Sequence, residues 1–319
     1  MPFSPLSTLD AFESAVPIAF LGLGVMGGPM ATNLARSGAT VRGWNRTGDR
    51  PSAVAAFGAG VVACPSIAAA VADAAVIFTC LGDVPDVEAV LLGPGGVADS
   101  ARSGAIIVDT STIGPMAARD LGRRLGDRGL RFLDAPISGG DIGARNGTLT
   151  VMVGGDGADF EACRAWFNAI GKTIRHCGPV GSGQAVKLCN QVLAAGHMMA
   201  LCEAIALAEA VDLDPNLVVD VCSTGAAGSW ALANLGPKIV AEDYAPGFAI
   251  AHMLKDLRLV QETLAAQGIE LPATALADQC FQGVATLDEN QGRWQGTQAA
   301  MRAYRRGASP GRDGDAIAP

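Results

Sequence analysis

The chain is poor in aromatic side chains, at 5% of its residues, and holds only three histidines, His176, His197 and His252. None lies at ligand spacing from another, so no metal site is expected. Eight cysteines are present without one Cys-x-x-Cys pair, which excludes a zinc ribbon and a dithiol redox motif. Most fall inside apolar segments, so they are expected as buried free thiols of a reducing cytoplasm. Basic residues are also in deficit: 23 Lys and Arg face 31 Asp and Glu, for a net charge of -8. A nucleic-acid partner, which needs a basic face, is thereby excluded. No apolar run reaches membrane-spanning length uninterrupted; the best candidate, within residues 192–210, contains His197, Glu203 and Glu209. Residues 1–16 carry two acids, no Lys or Arg and no continuous apolar core, so they lack the layout of a secretory signal and read as a disordered leader.

What is abundant is glycine, 41 residues in a chain of 319 that is half hydrophobic. That length supports two domains with cores of their own, and the composition suits an Ala/Gly/Val-rich α/β architecture. No internal repeat is visible.

Ile18-Ala19-Phe20-Leu21 is a short apolar run ending at Gly22-Leu23-Gly24-Val25-Met26-Gly27, beyond which residues 29–36 have helical character. Strand, glycine turn and helix form the context in which G-x-G-x-x-G predicts a dinucleotide site. Gly22 permits the turn, Gly24 lets a pyrophosphate approach the backbone, and Gly27 lets helix and strand pack closely. Residues 39–44 read as the second strand and end at Asn45-Arg46-Thr47, where an acidic residue gripping ribose hydroxyls would stand. A guanidinium flanked by two small polar groups suits a 2′-phosphate instead, so NADP(H) is preferred, with NAD(H) possible.

Residues 74–79 and 104–109 are two more buried-strand candidates alternating with helical segments, which implies a parallel, doubly wound sheet. Ligands bind beyond the carboxyl ends of such strands. Here those ends are Cys80-Leu81-Gly82-Asp83 and Thr110-Ser111-Thr112-Ile113. Thr112 is open to two uses, lining the nicotinamide end or capping the helix that begins near Pro115. Arg131-Phe132-Leu133-Asp134-Ala135-Pro136 leads into Ile137-Ser138-Gly139-Gly140, either an ordinary loop or a nest of backbone N–H groups for a carboxylate. Strands are expected again at 149–153 and 174–177.

Beyond Gly178-Pro179-Val180-Gly181 the strand pattern ceases. Residues 183–210, 215–222, 229–241, 253–267, 273–287 and 291–305 read as successive helices of a separate all-α domain. The first opens on Gly183-Gln184-Ala185-Val186-Lys187-Leu188-Cys189-Asn190. Lys187, Asn190 and Gln191 share one helical face near its start. Lys187 is either a solvated first-turn lysine or a functional ammonium. His197 and Trp230 are read as core residues in preference to substrate contacts. The domains are expected as a leader over 1–16, a dinucleotide-binding domain over 17–180, a helical substrate and dimerisation domain over 181–306, and a disordered tail over 307–319.

Taken together these stretches resemble the β-hydroxyacid dehydrogenase family, whose members include 3-hydroxyisobutyrate dehydrogenase and tartronate semialdehyde (2-hydroxy-3-oxopropionate) reductase. The likeness runs from about residue 18 to 305. It rests on Gly-Leu-Gly-Val-Met-Gly-Gly-Pro-Met at 22–30, Asp109-Thr110-Ser111-Thr112-Ile113, Asp134 to Gly140, Gly183 to Asn190, and Lys255-Asp256-Leu257. It implies an N-terminal Rossmann domain followed by an all-α domain acting on a small carboxylate substrate; the acidic and apolar mix of the helical domain adds the expectation of a homodimer or homotetramer. It also implies that Lys187 is the catalytic lysine, that Ser138, Gly139 and Gly140 hold the substrate carboxylate, and that Thr112 and Lys255 contact the cofactor. In reduction the lysine would give a proton to the nascent alkoxide, with Asn190 orienting substrate or lysine. Where many hydroxyisobutyrate-type members carry two asparagines, this chain has Asn190-Gln191, as in the tartronate semialdehyde reductase branch; Gln191 then either contacts substrate or points away. The competing readings are an imine reductase, which usually lacks the lysine, and a non-catalytic dinucleotide-binding module.

Overall fold

The computed structural model describes residues 17–265 and 267–305. The leader and tail expected at the two ends lie outside the described residues. By contacts the chain divides after Lys187 into two compact units.

The first unit is built on a nine-stranded sheet. Its strands are β1 (Ile18–Leu21), β2 (Val41–Trp44), β3 (Val62–Ala63), β4 (Val76–Thr79), β5 (Ile106–Asp109), β6 (Arg131–Asp134), β7 (Ile137–Ser138), β8 (Leu149–Gly154) and β9 (Gly171–Gly178). The order is β3-β2-β1-β4-β5-β6-β8-β7, with β9 on β8. From β3 to β6 all pairs are parallel, in a register that aligns Ile18 with Val41 and Val76, and Val76 with Ile106. Alternate residues of these strands enter different cores. Ile18, Phe20, Val76, Phe78, Ile106 and Val108 join one cluster, while Ala19, Leu21, Ile77 and Ile107 join another. Burial on both faces is why the strands read as continuous apolar runs. Four phenylalanines are buried in the first cluster, where Phe20 stacks on Phe78 at 5.8 Å between ring centroids and Phe167 meets Phe78 edge-on at 6.3 Å.

The expectation of a parallel sheet throughout is corrected at its far end, where β6 and β7 both pair antiparallel to β8. Only residues 139–148 separate β7 from β8, fewer than the roughly dozen that a parallel crossover needs.

The helices of this unit are α1 (Gly27–Arg36), α2 (Pro51–Gly58), α3 (Ile67–Val71), α4 (Val84–Leu92), α5 (Val97–Ser100), α6 (Pro115–Gly126), α7 (Gly140–Asn146), α8 (Gly157–Ala162) and α9 (Arg164–Ile170). The next helix, α10 (Ser182–Ala210), continues across the division into the second unit. By length and composition α10 is apolar enough to cross a membrane. Its Ala195, Met198, Cys202 and Ile205, however, are buried in the second unit's core, packed with Leu232, Met253, Leu257, Phe281 and Val284. These come from α12 (Trp230–Val240), α13 (Ile250–Ala265) and α14 (Pro272–Ala285), with α11 (Pro215–Ser223) adding Val219.

Three expectations need correction, two for this unit and one for the cysteines of both units. The helix predicted over 291–305 is two 3₁₀ turns, Gln291–Trp294 and Thr297–Ala300, then a short helix, Met301–Arg305. The backbone there bonds sideways instead of along a helix: Ile250 N–H donates to Gln295 O, Gly296 N–H to Tyr244 O, and Thr297 N–H to Phe248 O. His197 and Trp230 are not core residues. His197 lies on the exposed face of α10, and Trp230, 61% exposed, follows the capping Ser229 at the start of α12. The eight cysteines are free, but only Cys163, Cys202 and Cys280 are buried.

Candidate active site

The glycine turn lies where β1 is flanked by β2 on one side and β4 on the other, the point at which strand order reverses. Gly22 has φ +95, and a Cβ there would stand 2.3 Å from Cys80 O and 2.9 Å from Leu81 Cδ2. A Cβ on Gly27 would meet Gly22 O at 1.9 Å. These glycines are required by close backbone approach, whereas Gly24 faces open space, its nearest neighbour being Arg50 Nη1 at 3.7 Å. Helix α1 has Met26 as its N-cap and no side-chain cap; Gly28 N–H donates to Gly24 O at 2.9 Å within the turn, and a helix start that no side chain caps fits a pyrophosphate. Leu23 is buried, Met26 is half-buried and Val25 is 60% exposed.

Asn45 braces this turn from β2: its Oδ1 accepts from Leu23 N–H at 2.8 Å, and its Nδ2 donates to Thr47 O at 2.6 Å. Thr47 and Arg46 are exposed. Arg46 forms an ion pair at 2.9 Å with Asp86, in the first turn of α4. With the guanidinium 81% exposed, such a pair is worth less than about 1 kcal/mol and holds Arg46 only loosely.

At the ends of β4 and β5 a buried network sets the next two loops. Asp109 Oδ1 accepts from Thr79 Oγ1 at 2.7 Å and Ser111 Oγ at 2.6 Å, and Leu81 N–H donates to Ser111 Oγ at 2.9 Å. Cys80 and Leu81 are thus held beside Gly22, and the loop carrying Thr112 is held beside them. Thr112 does not cap α6, whose N-cap is Gly114.

The start of α10 is tied to these strand ends. Gln184, fully buried, accepts from the N–H groups of Ile113 and Gly114 at 3.0 and 3.1 Å and donates to Ser111 O at 2.8 Å. Asp134, at the end of β6, accepts from Gly181 N–H at 2.6 Å and Gln184 N–H at 2.8 Å. Burial pushes the Asp134 carboxyl up to about 6, against the lowering effect of those two donors. Gly183 lies flat on the sheet, since a Cβ there would be 2.3 Å from Met152 O. One turn beyond Gln184 stands Lys187, 6% exposed.

Ser138 ends β7 half-buried. Gly139 and Gly140 follow with φ +135 and +63 and open α7 without a side-chain cap. The stretch is therefore a strand end followed by a left-handed turn, with backbone that only glycine adopts easily.

In the second unit Asn190 Nδ2 donates to Gln191 Oε1 at 2.8 Å, and Gln191 Nε2 donates to Asp256 Oδ2 at 2.6 Å. Lys255 Nζ lies 3.0 Å from Asp256 Oδ1. Gln191 is 3% exposed, and both ends of its amide are engaged by these neighbours.

Sequence reasoning quoted Asp134, Gln184 and Asp256 inside motifs but gave them no role. Their signal was available only as polar residues in apolar surroundings. Arg50 was missed altogether, as a second cation near the glycine turn.

Comparison with known proteins identifies the family. Residues 17–178 match the NAD binding domain of 6-phosphogluconate dehydrogenase, and residues 181–304 match the NAD-binding region of NADP-dependent 3-hydroxyisobutyrate dehydrogenase. An uncharacterized oxidoreductase of Synechocystis is 54% identical over 90% of this chain and 98% of its own. The 2-hydroxy-3-oxopropionate reductase of Escherichia coli is 38% identical over 83% of this chain and 89% of its own. Among solved structures, the 3-hydroxyisobutyrate dehydrogenase of Mycobacterium tuberculosis with L-serine superposes with a TM-score of 0.81 at 34% identity, covering 91% of this chain and 99% of that one. The chain therefore belongs to the β-hydroxyacid dehydrogenase family, as an NAD(P)-dependent 3-hydroxyacid dehydrogenase related to 3-hydroxyisobutyrate dehydrogenase and tartronate semialdehyde reductase.

Proposed function

We propose that this enzyme is an NADP(H)-preferring reductase of a short semialdehyde, or dehydrogenase of the matching 3-hydroxyacid, of the 3-hydroxyisobutyrate or tartronate semialdehyde type. The observation that carries the reading is the tie between Lys187 and the cofactor side of the sheet: one turn before the lysine, Gln184 grips the Thr112 loop with three hydrogen bonds. A buried lysine so held is an amine kept at a fixed place, which a proton donor requires.

Bound NADP(H) would supply or accept the hydride. The chain's own residues then have distinct tasks. The turn from Gly22 to Gly27 receives the pyrophosphate: Gly24, Val25, Met26 and Gly27 offer backbone N–H groups, while Gly22 and Leu23, whose N–H groups donate to Trp44 O and Asn45 Oδ1, shape the turn around it. Arg46, with Asn45 and Thr47 beside it, takes the 2′-phosphate, and breaking its exposed pair with Asp86 costs little. Cys80, Leu81 and Thr112 line the nicotinamide end, and Lys255 adds a cationic contact to the cofactor. Ser138, Gly139 and Gly140 hold the substrate carboxylate by hydroxyl and backbone donors. Lys187 gives its proton to the alkoxide as it forms and recovers it in the reverse direction, while Asn190 orients the substrate.

Cytoplasmic residence fits eight free cysteines among the described residues. Self-association fits the exposed Val186, Leu193 and Leu207, which follow one another at intervals of seven and fourteen residues along α10.

The test is an absorbance assay of NADPH and NADH against small semialdehydes and imines, with Lys187→Ala alongside. Turnover of a semialdehyde with NADPH, lost by about 100-fold or more in Lys187→Ala with cofactor affinity kept, is expected. Full turnover in Lys187→Ala would refute the role of the lysine, and a large preference for NADH would refute that of Arg46.

A further inference from the structure

The residue after Asn190 has no place in the scheme above, yet it is a buried polar side chain with both ends of its amide hydrogen-bonded. Gln191 stands between Asn190 and Asp256, and Lys255 closes the row, so four side chains form one line: Lys255, Asp256, Gln191, Asn190. The chemistry of the line has a direction. An ionised carboxylate only accepts hydrogen bonds, so it compels Gln191 to present Nε2. The Gln191 amide is thereby oriented with Oε1 toward Asn190. A carbonyl oxygen also only accepts, so Asn190 must present Nδ2 in turn, leaving its Oδ1 on the side away from Gln191. The orientation of both amides thus follows from one carboxylate 65 residues along the chain. At 2% exposure that carboxylate is shielded from water, which would otherwise compete for either amide end.

We propose that Asp256 and Gln191 are positioning residues that act through Asn190, fixing its amide so that Oδ1 serves the reaction as a hydrogen-bond acceptor. The inference rests on the proposed reaction, in which Asn190 orients a substrate hydroxyl or the lysine ammonium, both of which are donors. A reversed amide would present N–H₂, which repels the ammonium and can donate to a hydroxyl oxygen but cannot accept the hydroxyl's proton. Gln191 is on this account neither a substrate contact nor a bystander: it carries the polarity set at Asp256 across to Asn190. The longer glutamine spans a gap that asparagine in its place would leave open.

The test is a charge-exchange cycle. In Asp256→Asn the new amide can donate or accept, so Gln191 and Asn190 lose their enforced orientation; kcat is expected to fall on the order of 10- to 100-fold. In Gln191→Glu two carboxylates share one contact and take up a proton, adding an ionisation to the pH profile of kcat that the native enzyme lacks. The double variant Gln191→Glu/Asp256→Asn restores the direction: the introduced amide donates to the introduced carboxylate, to which Asn190 Nδ2 still donates from the other side. Its kcat is expected to return to within about 3-fold of the native enzyme, whereas a merely structural contact would give losses that multiply. A double variant no better than the worse single, or an unimpaired Asp256→Asn, overturns the inference. Selective ¹⁵N labelling of asparagine provides a readout without turnover. The Asn190 side-chain amide signals should move in Asp256→Asn and return in the double variant; signals unmoved in Asp256→Asn also overturn it. If the native enzyme turned over no semialdehyde while the amide signals followed this pattern, the proposed reaction would fail and the relay would stand.

Discussion

Gln184→Met removes the clamp between α10 and the Thr112 loop while changing side-chain length and volume little. The native amide is fully buried and makes three hydrogen bonds, and the methionine would leave Ser111 C=O and the N–H groups of Ile113 and Gly114 without that partner. Each buried group so orphaned costs about 1 to 3 kcal/mol. Partial relaxation of the loop toward solvent brings the expected total to about 3 to 5 kcal/mol, or roughly 10 °C in the melting of a unit this size. The assay is a thermal scan paired with hydrogen exchange of the peptide over residues 106–118, where protection at Ile113 and Gly114 should collapse. Gln184→Glu sharpens the test. As a carboxylate, the introduced side chain still accepts from the two N–H groups but repels Ser111 O. When protonated it donates to Ser111 O and reproduces all three bonds. Burial raises its folded pKa above the unfolded value of about 4.3. The stability of this variant, compared with native protein at each pH, is therefore near native below about 4.3 and is lost as pH rises through the folded pKa. A Gln184→Met protein within about 1 kcal/mol of native, or a Gln184→Glu deficit independent of pH, would refute the clamp.

Further outcomes follow from the same geometry. Asp134 has its folded pKa raised from 3.8 to about 6; its contribution is fully present below about pH 3.8 and is lost as pH rises through 6, on the order of 1 to 3 kcal/mol. In Asp134→Asn that part of the pH dependence should vanish from denaturation curves taken between about pH 4 and 7. Gly27→Ala brings a Cβ to 1.9 Å from Gly22 O, backbone that cannot yield without moving the phosphate turn. NADPH affinity by fluorescence titration should fall about 100-fold, and unchanged affinity would show that the turn does not hold the cofactor. Leu193→Glu/Leu207→Glu places charges at two side chains that are 60% and 65% exposed. The mass by light scattering should drop to that of a monomer, and an unaltered oligomer would exclude this face of α10 as its contact.

How far the fold could be read from the chain varies with where each element's partners lie. The strands β1, β4 and β5 were legible because both faces are buried and every residue is apolar up to the strand end. Val62–Ala63 was not: it is two residues long and both are exposed, so no apolar run announces it. The region after residue 286 misled for a different reason. Asp288, Glu289 and Asn290 adopt left-handed backbone, with φ of 52, 55 and 70, and a Cβ on Gly292 would stand 2.0 Å from Val284 O. Helical composition persists there while tertiary contacts to residues 244–250 dictate another path.

In the candidate site, what lay within one motif was legible, and what joins motifs was not. The glycine turn and the Lys187 helix each announce themselves over a few residues. The partners that fix them stand 70 to 73 residues apart in the case of Gln184 and the Ser111 loop, and 47 to 50 in the case of Asp134 and the start of α10. Those partners also bear on why polar groups are buried there at all. An apolar pair would tie a helix to a sheet without a carboxyl whose burial pushes it up to about 6, and buried polar pairs seldom exceed such a replacement in stability. They do specify direction, because a donor must meet an acceptor at one angle and distance. With Gly183 seated on Met152 O, Asp134 on two backbone N–H groups and Gln184 on three loop groups, rotation and sliding of the first turn of α10 are both blocked. Lys187, the next turn on, inherits that constraint, and the stability forgone for it is explained if the ammonium must occupy one position relative to the Thr112 loop.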